Sequence, residues 1–299
     1  MQVKSFKFAE LAEFVARTRA ATDTGFRGQI KFWIDRFGDR DIREISVDDV
    51  EDAVDELRRR PKCRPYYNPA TGERRTIVTD QPLSNSTVNK FINSLGSVWR
   101  ECHAQGYLRK KFQSPTKGFG RLSEATGKVV DASAADVQRL VSAARLTRNR
   151  KLAGYIAFAC TTGWRRGNIE SVTWADLDLK AGRAKAGKTK NGTPHWIPLL
   201  PFVVAELEKM RPEQAGDGDL VFGTGNIRRS YTSALRLADL PETWTVHTMR
   251  HVAASVLTQS GAPIQTVAAA LNHKTLSMAM RYSHQNLEQL RDSVRRAWK

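Results

Sequence analysis

The 299-residue chain is poor in cysteine, in acidic residues and in long apolar runs, and each shortage closes off a class of protein. Its three cysteines, Cys63, Cys102 and Cys160, stand far apart with no CxxC spacing, which argues against a disulfide framework and against a thiolate zinc site. They read as ordinary reduced thiols. No apolar run approaches the ~18 residues of a bilayer span, and the opening MQVKSFKFAELAEF alternates charge with hydrophobe. Neither a membrane span nor a signal peptide is expected, and a soluble, cytosolic protein is the default. Acidic side chains number 31 against 48 basic ones, giving a net charge of +17 and an isoelectric point near 10.1. That imbalance predicts a polyanionic partner, with nucleic acid ahead of an anionic membrane surface. No carboxylate cluster accompanies the basic residues, which speaks against a metal-dependent nuclease.

The chain does hold enough apolar residues, 40% of the total, for two cored domains. From Phe6 to Arg60 the apolar period is helical, with Phe8, Leu11, Phe14 and Val15 on one face. In SVDDVEDAVDELRRR, Ser46 reads as an N-cap, followed by an acidic first turn and arginines at the C-terminal end. Residues 61–84 carry four prolines and an Asn-Pro-Ala-Thr-Gly turn signal, which predict a loop or short hairpin. A second amphipathic helix follows, with Val88, Phe91, Ile92, Leu95, Val98 and Trp99 on its apolar face. The stretch QSPTKGFGRLSEATGK has no hydrophobic period and reads as a linker. The expected organisation is a helical domain over 1–112, a linker over 113–130 and a second domain over 131–299.

In that second domain DASAADVQRLVSAARL reads as a capped helix and KLAGYIAFACTTG as a buried one ended by Gly163. Short β-prone runs at Val172–Trp174 and His195–Leu199 flank a Lys/Asn/Gly turn, as in a small antiparallel sheet, with Trp174 and Trp196 as sheet residues. Helices then recur at Pro201–Met210, Arg228–Leu237, His247–Gln259, Ile264–Leu271 and Ser277–Tyr282. The fold class is mainly α with a small antiparallel β-sheet.

Four of the six histidines, His247, His251, His273 and His284, fall in the last quarter of the chain, together with Tyr282. A tyrosine hydroxyl has an ordinary pKa near ~10 and is a weak nucleophile. Surrounding positive charge favours its phenolate and neutralises an oxyanion-rich five-coordinate phosphorus. Arginine suits the phosphoryl oxygens because its planar fork stays charged and pairs bidentately. Arg165 in TTGWRRGNI and Arg250 in HTMRH are the candidates. His247 and Arg250 lie three apart, so a helix opening there directs both toward one ligand, beside its N-terminal amides.

TTGWRRGNI, a hairpin lysine in KTKNGTPHWIPL, HTMRH, and LNH followed by a tyrosine nine residues after its histidine occur in this order over roughly 131–299. Together they resemble the ordered signature of the tyrosine recombinase (phage integrase) family, and 1–112 is similar in size and helicity to that family's core-binding domain. The resemblance implies a catalytic domain over 131–299 with a C-terminal tail helix. It implies DNA strands cut and rejoined through a 3′-phosphotyrosine bond, without metal, ATP or other cofactor. It assigns Arg165 and Arg250 to the scissile phosphate, Tyr282 as nucleophile, and Lys190 as acid to the leaving 5′ oxygen, with Lys188 as its rival on the same strand. His247 would bind phosphate and manage the phenolic proton, and His273 would donate to a non-bridging oxygen. His251 would support the arginines from behind, and Asn168 stands where the family often has an acid. Asn272 replaces the usual glycine of LGH, and asparagine is at ease in a left-handed turn.

Arg64, Tyr66, Arg74 and Arg75 combine basic and aromatic character suited to DNA, or else form a solvated surface loop. His195 and His284 read as structural or DNA-facing, and Cys160 and Trp164 as core. Leu287, Leu290, Val294 and Ala297 form one stripe of the tail, which the resemblance makes a docking segment exchanged between protomers. The partners implied are double-stranded DNA at specific sites, closed within a basic clamp of the two domains, and a homotetramer formed on it through the tail; whether a DNA-bending accessory factor takes part is left open by the sequence. No membrane partner is implied. Integration or excision of a mobile element in a bacterial or phage-infected cell is the expected use. A monomeric DNA-relaxing enzyme with the same tyrosine chemistry and a non-catalytic DNA-binding regulator are the alternatives.

Overall fold

The computed structural model describes residues 6–19, 24–68, 71–124, 130–186, 195–223, 226–273, 275–280, 282, 291 and 295. The chain divides into two compact units, Met1–Thr126 and Gly127–Lys299, each with its own apolar core.

The first unit is built on α1 (Phe8–Arg19), α2 (Thr24–Phe37), α3 (Val47–Arg59) and α4 (Asn85–Ala104). Their apolar faces meet around Phe8, Trp33, Leu57, Leu95 and Trp99, all essentially without solvent contact. Helix α3 starts where the sequence predicts. The Ser46 side chain accepts from the Asp49 N–H and the Asp49 carboxylate from the Ser46 N–H, which satisfies two orphan donors of the first turn. Arg40 binds both oxygens of Asp49, at 2.6 and 2.9 Å, and holds its carboxyl well below the usual carboxylate range. Between α3 and α4 the proline-rich segment forms an antiparallel ribbon of β1 (Pro61–Tyr67) and β2 (Arg74–Pro82), exposed on both faces. The stretch expected as a linker begins on the first unit. Asn89 of α4 donates to the Leu122 carbonyl and accepts from the Leu122 N–H, and Asn85 donates to the Ser123 carbonyl.

In the second unit α5 (Ala134–Arg145) opens on a capping box between Ser133 and Asp136. Helix α6 (Leu152–Thr162) is apolar on nearly every side and packs against α5, α8 (Pro201–Met210) and α10 (Thr248–Gln259), so it forms the centre of the core. Gly163 ends α6 in the left-handed region at φ 62°, as the sequence predicts. After the short α7 (Arg166–Glu170), a three-stranded antiparallel sheet runs β3 (Leu177–Asp178), β4 (Arg183–Ala186), β5 (His195–Pro198). Helices α9 (Arg228–Leu237), α11 (Ile264–Ala270) and α12 (Ser277–Met280) complete the described elements.

One expectation fails here. Residues 172–174 are not a strand of this sheet: Thr173 makes an isolated bridge to Leu220, and Trp174–Asp176 coil into a 3-10 turn. Asp176 explains it, since its carboxylate accepts from both the N–H and the hydroxyl of Thr173, a local closure that competes with ladder pairing. Trp174 is accordingly buried in that turn, and Trp196 lies on β5 half exposed, with the Arg183 guanidinium 4.8 Å from its ring. The lysine-bearing segment between β4 and β5 and the tail after Tyr282, apart from Arg291 and Arg295, lie outside the described residues.

Candidate active site

Three segments distant in sequence are joined through one side chain. Arg250, on the first turn of α10, points into the unit and is 6% exposed. Its two terminal nitrogens donate to the carbonyls of Gly163 and Leu271, each at 2.6 Å. Gly163 stands two residues before Arg165, and Leu271 two residues before His273, so the guanidinium fixes the backbone that carries both. Burial, with a further contribution from the Arg165 charge, lowers Arg250 to a pKa of about 10, while Tyr282 acts in the opposite direction. Arg250 therefore remains a cation at neutral pH, and Arg165 and Tyr282 both lie within reach of its field.

The left-handed turn at Gly163 reverses the chain, after which Trp164 packs into the core and Arg165 takes an extended conformation ahead of α7. The Arg165 side chain is exposed and makes no hydrogen bond to a described residue. Its neighbour Arg166 is instead committed to Glu170 at 2.7 Å. Asn168 lies half-buried on α7, and its backbone N–H donates to the Arg165 carbonyl at 2.8 Å. On the opposite side, Asn272 adopts φ 49° and turns the chain so that the His273 N–H closes on the Ala268 carbonyl at 2.9 Å. This is the left-handed turn expected from LNH.

Tyr282 is 5% exposed and packs with Ala253, Ala254, Val267 and Leu271. Its hydroxyl lies 2.6 Å from Nδ1 of His251. The His251 ring is in turn edge-on to His247, with centroids 5.2 Å apart. This departs from the expected arrangement in two ways. Arg250 turns inward to the two carbonyls, while His247, three residues before it, is exposed at the helix entrance with its ring against His251 one turn on. His251, expected behind the arginines, instead contacts the phenol directly. The one-turn spacing of His247 and His251 is the sequence signal that could have shown this.

Lys190 and Lys188 lie outside the described residues, as do His284 and the side chain of His195. Arg64, Tyr66, Arg74 and Arg75 sit together on the ribbon of the first unit. Tyr66 pairs across it with Arg75, whose guanidinium is 4.7 Å from the ring, and Tyr67 pairs with Arg74 at 5.6 Å.

The second unit, helical with a small antiparallel sheet, thus brings His247, His251 and Arg250 of one helix together with the buried phenol of Tyr282. Residues 132–289 match the model of the Phage integrase family, and the chain belongs to that family. It is similar to the shufflon-specific DNA recombinase of Escherichia coli, 28% identical over 71% of this chain and 54% of that protein. It is similar also to tyrosine recombinase XerC of Bifidobacterium longum, 26% identical over 87% of this chain and 86% of that one. The chain spans about half to two thirds of the length of several curated relatives it matches. In fold it resembles the Tn1549 transposon integrase solved with transposon right end DNA, with a TM-score of 0.70 over 98% of this chain and 100% of that one, at 18% identity.

Proposed function

We propose that the chain is a site-specific DNA recombinase that cuts and rejoins strands through a 3′-phosphotyrosine bond to Tyr282. The observation that carries this reading is the Arg250 guanidinium, which binds the backbone of the Arg165 and His273 segments at 2.6 Å beside the phenol. A buried, fully charged arginine costs stability, and a site for an anion is a sufficient reason to keep one. In this reading Arg165 and Arg250 stabilise the phosphoryl oxygens, His247 and His273 donate to them, and Lys190 protonates the leaving 5′ oxygen. Asn168 hydrogen-bonds near the first arginine without adding charge.

The substrate is double-stranded DNA, in keeping with the net charge of +17 and with the DNA-bound Tn1549 integrase of the same fold. Arg64, Tyr66, Arg74 and Arg75 contact it from the ribbon, and Lys188 adds a further contact. Four copies assemble on paired sites through the tail, aided by a DNA-bending factor where the site requires one. Movement of a mobile element at the nucleoid of a bacterial or phage-infected cell is the use we assign.

The test is a nicked suicide duplex carrying the attachment site, from which the short product strand diffuses away after cleavage. A covalent adduct that disappears in Tyr282→Phe supports the chemistry, and recombinant product distinguishes a recombinase from a DNA-relaxing enzyme. An adduct that persists in Tyr282→Phe, or none with the unsubstituted chain, would sink the reading.

A further inference from the structure

We propose that His251 is the catalytic base that takes the phenolic proton of Tyr282 as the phenol attacks phosphorus, an inference that rests on the recombinase reading. The Tyr282 hydroxyl lies 2.6 Å from Nδ1 of His251, at contact distance for proton transfer without rearrangement. Among the described residues of the site, the arginines and His247 are worse placed as acceptors. Arg250 stays protonated at neutral pH and spends its terminal nitrogens on two carbonyls, and Arg165 is a second cation. The His247 ring faces His251 edge-on at 5.2 Å, so it is placed to influence the imidazole rather than the phenol.

The step balances as follows. The Tyr282 O–H bond breaks, its electron pair forms the O–P bond, and the proton goes to Nδ1 of a neutral imidazole that carries its own hydrogen on Nε2. The P–O5′ bond breaks and the 5′ oxygen takes a proton from the general acid, assigned above to Lys190. On rejoining, the 5′ hydroxyl returns its proton to the deprotonated general acid as it attacks phosphorus, the P–O bond to Tyr282 breaks, and the departing phenolate recovers its proton from the His251 imidazolium. The imidazolium forms beside Tyr282, where the Arg250 charge is already felt, a placement that is favourable only while the phosphoryl group gathers negative charge, so proton transfer is coupled to phosphate binding.

The competing arrangement is an anchor. If Nδ1 carries the hydrogen, His251 donates to the phenol oxygen and merely holds a buried ring in place. Long-range 1H–15N spectra of the full chain with labelled histidine, recorded at a pH where the ring is neutral, separate the two. The expected result is an unprotonated Nδ1 at His251 whose resonance moves in Tyr282→Phe; a protonated Nδ1 overturns the proposal.

The kinetic arm uses nicked duplexes of random core sequence, from which the unsubstituted chain selects its site by covalent capture. That site is then made with a 5′-bridging sulfur, a leaving group that departs without a proton. His251→Asn keeps a hydrogen-bond acceptor but no base, and His251→Ala removes both. Single-turnover adduct formation is expected to fall by about 10²–10⁴-fold in each, and the sulfur substrate is expected to leave that deficit unchanged. A normal rate in His251→Asn, or recovery with sulfur, overturns the assignment. Should His251→Ala fail to fold, the asparagine variant and the spectra decide. No adduct with the unsubstituted chain on any duplex counts against the recombinase reading itself, and the base falls with it.

Discussion

Arg250 joins the site's chemistry to its stability. Displacement of its pKa from the ordinary arginine range down to about 10 corresponds to about 3 kcal/mol of unfavourable charge burial at neutral pH. The sign follows from proton counting. Because the folded chain releases this proton more readily than the unfolded one, the penalty is relieved only as pH rises above about 10, and Arg250 gives no slope below that. Replacing it by methionine relieves the burial but orphans the Gly163 and Leu271 carbonyls, each at a cost of roughly 1–3 kcal/mol. The two effects nearly cancel. Arg250→Met is therefore expected to melt within a few degrees of the unsubstituted protein in thermal circular dichroism, while adduct formation falls at least about 10²-fold. A large loss of stability would show that the guanidinium is mainly a structural brace. Asn272 gives a complementary case. At φ 49°, Asn272→Gly should be neutral within about 0.5 kcal/mol, whereas Asn272→Val should lose about 1–2 kcal/mol in denaturant unfolding and disturb the Leu271 carbonyl that Arg250 uses. At this scale the order of motifs made Arg165, His247, Arg250, His273 and Tyr282 legible as candidates. The direction of each side chain was not legible, because Arg250 turns inward on backbone carbonyls that no sequence pattern marks.

Among the elements, α6 depends most on a single residue. A Cβ at Gly163 would lie 2.3 Å from Leu271 Cδ2 and 3.1 Å from Ala253, at a φ of +62° that already disfavours a side chain. Gly163→Ala is expected to lose about 2–4 kcal/mol from strain and overpacking combined, and to reduce adduct formation, since the displaced carbonyl is one of the two that hold Arg250. Unfolding curves with an unchanged midpoint would mean that α11 yields easily. In the first unit, Asp49→Ala removes both the α3 capping box and the bidentate partner of Arg40, for an expected loss of about 1–3 kcal/mol. The Asp49 carboxyl is depressed in the folded chain, so its contribution is present above the ordinary carboxylate range and is lost as pH falls below it. Acid titration should accordingly separate the variant from the unsubstituted chain near neutrality and merge the two at low pH. Elements with a cap, a period and a stop were readable: α3, α5 and α6 begin or end at Ser46, Ser133 and Gly163 as the residues indicate. Residues 172–174 were misread because β-branched Val172 and Thr173 suit a strand, and the deciding contact is the Asp176 carboxylate that closes the turn.

For the whole molecule, an apolar content of 40% suffices for the two cores observed, yet the beginning of the linker is obscure in sequence. Residues 113–124 lack a hydrophobic period, and single polar side chains such as Asn89 tie them to α4 without leaving a repeating trace. The exposed ribbon is similarly ambiguous in sequence, because proline content marks it as irregular while the Tyr66–Arg75 and Tyr67–Arg74 pairs make it a regular antiparallel ladder. Its function turns on electrostatics that extend through the whole chain. A molecule of net charge +17 should bind any duplex with an affinity that falls steeply with salt, because each phosphate it neutralises releases condensed counterions. If Arg74 and Arg75 each meet a phosphate, the double variant Arg74→Ala/Arg75→Ala should lower the slope of log K against log salt by about 2, at roughly 0.9 per contact. Tyr66→Ala should weaken binding with little change in slope, because stacking on a base releases no counterions. Tyr282→Phe should change neither, since it removes a reacting oxygen and no charge. Fluorescence anisotropy on a labelled duplex across a salt series measures all three. An unaltered slope in the double arginine variant would mean that the ribbon stays off the DNA and that the binding charge lies elsewhere on the chain.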